Sequence, residues 1–108
     1  MTTFDERERG FEAKFALEQD LQFRLTARRD KLFAGWAANE LGLSDADSAA
    51  LMEGVLHVSD GPGHDERLKA FMLARFPARA DFPMETWLGA QLATCSIEAH
   101  AQIIDELA

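Results

Sequence analysis

Residues 4–43 read FDERERGFEAKFALEQDLQFRLTARRDKLFAGWAANELGL. No proline interrupts this stretch, and before Gly42 it holds only two glycines, Gly10 and Gly35. It is rich in Ala, Leu, Glu, Arg and Gln, the good helix formers. One long helix is expected, closed at Leu41-Gly42-Leu43 by a glycine of the kind that takes a left-handed conformation at a helix end. At ~100° per residue, Phe4, Phe11 and Phe15 fall within ~40° of one another. Around them stand Asp5, Glu6, Arg7, Glu8, Arg9, Glu12, Lys14, Glu18 and Asp20. Downstream, Leu21, Leu25, Leu32 and Trp36 share a second stripe, rotated by ~70° from the first. That stripe, with Leu17 close to it, is expected to face a core.

Outward from this helix, Ser44-Asp45-Ala46-Asp47 offers an N-cap with an acidic residue three positions on. A short second helix follows, carrying Ala46, Ala49, Ala50, Leu51, Met52, Val55 and Leu56. Ser59-Asp60-Gly61-Pro62-Gly63 is a dense cluster of helix breakers and reads as a loop. A third helix is expected after it, capped by His64 or Asp65, with Leu68, Phe71, Met72 and Phe76 on one face and Pro77 as its end. Asp81-Phe82-Pro83 opens a last helix with proline in its first turn. Its stripe is Met84, Leu88, Gln91, Leu92, Cys95 and Ala99. No segment alternates with period two between turns, so no strand is expected. The fold class is all-α: a four-helix bundle with a long first helix whose N-terminal part protrudes or is mobile. Residues 1–20 form a partner-binding helical segment and residues 21–108 the bundle.

A chain of 108 residues with 47% hydrophobic composition holds one modest core. The net charge of −8, with no basic cluster denser than Arg28-Arg29, argues against nucleic acid and anionic membrane surfaces as partners. No apolar run approaches the ~20 residues a membrane span needs, and Met1 to Arg7 lack the pattern of a signal peptide. With Cys95 as the single cysteine, no internal disulfide forms and a cytoplasmic setting is expected.

The phenylalanine stripe is narrow and aromatic, with Glu8 close to its line. Each ring is worth ~1.5–3 kcal/mol if fully covered. Four turns alone are only marginally helical in water, and Gly10 costs the helix ~1 kcal/mol relative to alanine. Two arrangements fit the wheel equally: the segment docks on a partner through i, i+4, i+7 anchors, or it folds back to cap its own bundle. A self-paired coiled coil fits less well, because sustained heptads are missing.

Phe4-Asp5-Glu6-Arg7-Glu8-Arg9-Gly10-Phe11-Glu12-Ala13-Lys14-Phe15-Ala16 resembles the opening of the alphaproteobacterial ATPase inhibitor subunit zeta family. The resemblance runs on through Leu21-Gln22-Phe23, Ala27-Arg28-Arg29-Asp30-Lys31-Leu32, Trp36-Ala37-Ala38 and Leu41-Gly42-Leu43. An echo follows at Pro62-Gly63-His64-Asp65-Glu66, and beyond it the likeness thins. It implies an inhibitor subunit of the F-type ATP synthase, not an enzyme. The N-terminal helix would enter the alpha/beta interface of the catalytic head near the gamma rotor and block ATP hydrolysis. Phe4, Arg7, Phe11, Lys14 and Phe15 would be the partner-binding residues. The protein would be a monomer when free, located in the cytoplasm and peripheral at the inner membrane through the synthase. Two alternatives are kept: a weakly inhibitory bundle that senses nucleotide through weak ATP or ADP binding, and an assembly or adaptor protein docking through the same segment. Arg28, Arg29, Arg67, Lys69, Arg75 and Arg79 are the candidate cations for nucleotide.

Other chemistry finds little footing. His57, His64 and His100 form no i, i+4 pair and no Cys–His pair at ligand spacing, so no metal or cofactor is expected. Cys95 sits mid-stripe and reads as a small buried hydrophobe. Gly61-Pro62-Gly63 lacks the Gly-Lys-Ser/Thr ending of a phosphate loop. Glu6 with Glu8 and Asp45 with Asp47 are solvated or capping charges, lacking the apolar cleft that acid–base catalysis requires. Trp36 and Trp87 read as core residues of facing helices.

Overall fold

The computed structural model describes residues 3–108; Met1 and Thr2, the start of the expected partner-binding segment, lie outside the described residues. Four helices follow in order: α1 Phe4–Glu40, α2 Asp45–Leu56, α3 His64–Leu73 and α4 Met84–Leu107. The molecule is elongated, 65 × 26 × 21 Å, because α1 alone runs for 37 residues.

Local chemistry explains where each helix starts and stops. α1 begins in a capping box: the Glu6 N–H donates to Thr3 Oγ1 at 3.2 Å, and the Thr3 N–H donates to Glu6 Oε2 at 3.1 Å. It ends as the glycine predicts. Gly42 takes φ 63°, its N–H reaches the Asn39 carbonyl at 3.2 Å, and the Leu43 N–H reaches that of Ala38 at 3.0 Å, a full Schellman closure. Ser44 caps α2, accepting from the Asp47 N–H at 3.2 Å. The starts of α3 and α4 differ from expectation. Gly63, at φ 82°, holds the N-cap position of α3, so His64 is the first helical residue and its ring is free to turn inward. Pro83 is itself the cap residue of α4. α3 stops at Leu73, before Pro77, which leaves Phe76 in the connection, where it packs edge-on to Trp87 at 5.4 Å.

The core gathers Phe33, Ala34, Ala37 and Ala38 of α1, Leu51 and Val55 of α2, Leu68 and Met72 of α3, and Leu88, Leu92 and Cys95 of α4. Trp36 and Trp87, with ring centroids 4.9 Å apart, close one end of it. The expected stripe of Leu21, Leu25, Leu32 and Trp36 is therefore displaced: Leu25 is buried, while Leu21, Leu32 and Trp36 are half-buried at the margin. The cause is the alanine row. Ala34, Ala37 and Ala38 are buried beside Phe33, and the buried face centres near Ala37.

Leu17, expected near the core, is 68% exposed. α4 stops short of it. Glu106 meets Arg28 Nη2 at 2.6 Å and Arg24 Nη2 at 3.9 Å, and Gln102 accepts from Arg28 at 2.9 Å, so the end of α4 stands level with Arg24. From there to Phe4, α1 runs on beyond the reach of α4 for about 30 Å at 1.5 Å per residue.

Candidate functional site

The protruding half of α1 carries every residue expected to bind a partner, Phe4, Arg7, Phe11, Lys14 and Phe15. Phe4, Phe11 and Phe15 are 79%, 74% and 62% exposed. The segment is continuous with the rest of α1 and does not fold back onto the bundle. Its capping box satisfies the first N–H groups, and Lys14 pairs loosely with Glu18 at 3.9 Å, both side chains in solvent. Such a pair adds little stability.

The two halves of α1 share a line that the wheel comparison with the leucines obscured. Phe33 follows Phe15, and Arg29 follows Phe11, by ~five full turns of a 3.6-residue helix. The phenylalanine stripe thus runs in line with Phe33, at one edge of the buried face, whose alanines stand ~40–140° further round the helix. What separates the two environments is the missing neighbour beside residues 4–20.

Where the stripe meets the bundle, the α2–α3 loop forms a shelf. Gln19, Gln22 and Thr26 face Asp60, Gly61 and Asp65 across a notch. A buried polar cluster anchors this shelf. His64 Nε2 lies 2.7 Å from Asp30 Oδ2, and His64 Nδ1 lies 2.8 Å from the Ser59 carbonyl. A backbone carbonyl and an ionised carboxylate both accept, so the geometry suits a proton on each ring nitrogen, the imidazolium form of His64. Burial alone would lower the His64 pKa. The Ser59 carbonyl, the hydrogen bond and charge of Asp30 and the more distant charge of Asp60 outweigh that burial and hold it above the usual histidine value. Arg29 donates to Asp30 at 3.0 Å and to Asp65 at 2.8 Å. Arg67 clasps the loop through the carbonyls of Ser59, Asp60 and Pro62 at 2.7, 3.0 and 2.9 Å. No sequence signal marks the Asp30–His64 pair, since its members stand 34 positions apart.

The cations named for nucleotide each meet a group of their own chain, and of the six, Arg29 and Lys69 line one notch together with Asp65 and Glu66. Arg28 is held by α4 and Arg29 by Asp30 and Asp65; Lys69 pairs with Glu66 at 3.0 Å, and Arg75 lies 3.4 Å from the Phe71 ring centre. Arg67 is spent on loop carbonyls, and Arg79 lies over Phe82. Burial, with help from the charge of Glu98, pushes the Cys95 thiol up, which keeps it a poor nucleophile. Among the described residues no group of His, Cys, Asp and Glu is placed to hold a metal ion, and no helix is long and apolar enough to cross a membrane.

A family model described as ATPase inhibitor subunit zeta matches residues 1–102. No curated protein and no solved structure matches the chain.

Proposed function

We propose, because this chain belongs to the ATPase inhibitor subunit zeta family, that it restrains ATP hydrolysis by the F-type ATP synthase through the free half of α1. One observation carries this reading: three phenylalanines on one line of a capped helix, 62–79% exposed, with no element among the described residues to cover them. A small domain gains nothing in stability from such a row, whereas a partner that covers it recovers ~1.5–3 kcal/mol per ring.

The protein acts without catalysis of its own. Phe4, Phe11 and Phe15 are the buried anchors. Arg7 and Lys14 pair carboxylates at the rim. The helix enters between the alpha and beta subunits of the catalytic head beside the gamma rotor, while the bundle stays outside and limits how far it goes in. Inhibition then follows from differential affinity. The segment stalls hydrolysis only by binding one conformational state of the head better than the states that succeed it. The protein is peripheral to the membrane through the synthase.

The test measures ATP hydrolysis by a zeta-depleted F-type ATPase after adding the intact chain or a form lacking residues 1–19. Inhibition by the intact chain alone is expected. Equal rates with both forms would sink the wedge.

A further inference from the structure

Over residues 5–14 charge is not scattered around the phenylalanine line; beyond them Glu18 stands ~40° from the line on the side of Lys14, which it meets at 3.9 Å. On the continuous helix, Glu8, Glu12 and Asp5 stand ~40°, ~80° and ~100° to one side of the stripe, and Arg7 and Lys14 stand ~60° and ~80° to the other. Glu6 is turned to the back and engaged in the capping box, and Arg9 lies on the back as well. The first three turns therefore present an apolar line between an acidic flank and a basic flank.

We infer that residues 5–14 recognise a partner groove whose walls differ in charge, cationic beside Asp5, Glu8 and Glu12 and anionic beside Arg7 and Lys14, with an apolar floor for the three phenylalanines. This rests on the docking reading above and deepens it, because opposed walls admit the helix in one rotational and one axial orientation. A helix entered backwards, or turned over, sets like charges together along both walls, and such contacts are costly once water is excluded.

A second copy of this chain is a poorer occupant. Two such helices paired antiparallel about a twofold axis bring acidic flank to acidic flank and basic to basic. Paired parallel, their flanks complement each other, but the bundles obstruct. Phe11 is in line with Arg29, which holds Asp65 of α3 at 2.8 Å, so α3 and its loop lie on the stripe side of α1 and would meet their own symmetry mates. The partner is a groove in another protein, and its lip comes to rest at the notch beside Gln19 and Asp60.

The experiment titrates a zeta-depleted F-type ATPase head with four variants of the full chain. Glu8→Lys with Glu12→Lys reverses one flank, and Arg7→Glu with Lys14→Glu reverses the other. The third variant combines both reversals, and the fourth is Phe11→Ala with Phe15→Ala. All these side chains are in solvent, and circular dichroism verifies that the helices persist. Each single-flank reversal is expected to weaken inhibition about tenfold or more. The combined variant, whose net charge equals that of the starting protein, is expected to stay weak, because its flanks are mirrored.

Full recovery in the combined variant would show that net charge alone matters and would overturn the inference. So would reversals within about twofold of the unmodified chain while Phe11→Ala with Phe15→Ala abolishes inhibition; the docking reading then survives with an apolar floor alone. Silence of all four variants removes the docking reading itself. Concentration-dependent dimerisation in sedimentation, lost in the single-flank variants and regained in the combined one, would identify a second copy as the occupant and overturn the inference.

Discussion

His64 Nε2 lies 2.7 Å from Asp30 Oδ2, joining the first turn of α3 to the C-terminal half of α1. Both side chains are buried, and His64 holds its second proton on the Ser59 carbonyl at 2.8 Å. The stripe leaves the bundle just beyond this pair, so its protonation fixes the shelf on which the free half of α1 is mounted.

The pair makes stability depend on pH in a defined direction. The folded-state pKa of His64 is raised above its ordinary value, so its contribution is fully present below about pH 6.5 and is lost as pH rises through the folded value. Urea denaturation from pH 6 to 9 is expected to show stability falling over that window. The slope should vanish in His64→Gln. Asp30→Ala, which removes the carboxylate from a buried pair, is expected to cost about 3 kcal/mol at pH 6. A flat profile for the unmodified protein would mean that His64 is neutral in the fold.

Phenylalanines on the two halves of α1 should respond in opposite ways. Phe33 has no exposed surface, and Phe33→Ala is expected to cost about 3–5 kcal/mol. That is a large fraction of the ~5–15 kcal/mol that holds a small domain folded. Phe11→Ala and Phe15→Ala should leave the unfolding midpoint within about 0.5 kcal/mol of the starting protein while removing inhibition of ATP hydrolysis. Thermal unfolding and a hydrolysis assay on the same samples check both halves of the expectation.

How much was legible before the fold was known depends on the range of the interaction involved. Gly42 and Ser44 act within four residues, and they end α1 and start α2 as read. The stripe of Phe4, Phe11 and Phe15 was legible too, because it depends on helix periodicity alone, but its exposure was not, since docking and folding back fitted the wheel equally. Which line of α1 is buried was not. Leu32 and Trp36 outrank Ala34 and Ala37 in hydrophobicity, yet the alanines lie deeper because helices pack closest where side chains are smallest. Leu17 was placed near the core because no sequence pattern says where α4 ends in space; the Arg28–Glu106 contact decides that. Asp30 stood out only as part of the family motif and His64 only as a candidate cap, since a buried pair across 34 positions leaves no periodic trace.

Gly54 of α2 lies where a Cβ would come within 2.6 Å of Phe71 Cζ and 3.1 Å of Cε2. Alanine there gains ~1 kcal/mol of helix propensity but must displace the tip of a ring that Arg75 covers at 3.4 Å. Overpacking of this kind costs ~1–3 kcal/mol, so Gly54→Ala is expected to destabilise by roughly 1 kcal/mol. In a Phe71→Ala background the obstacle is gone, and the same change should stabilise instead. A double-mutant cycle in urea reads the reversal of sign as a coupling between the two positions.

Gly10 presents the contrary case. A Cβ built on it meets nothing within 4 Å, and it stands ~120° from the phenylalanine line, so Gly10→Ala leaves the stripe untouched and changes only the helix that carries it. Alanine favours that helix by ~1 kcal/mol. If the free segment samples unwound states and must pay their ordering on docking, the variant is prepaid, and inhibition of the zeta-depleted ATPase should tighten by up to about fivefold. Amide exchange over residues 7–14 should slow in parallel, since opening there becomes rarer. Slower exchange with unchanged inhibition would show that docking does not wait on helix order. Slower exchange with weakened inhibition would assign Gly10 a place against the partner, where a methyl group does not fit.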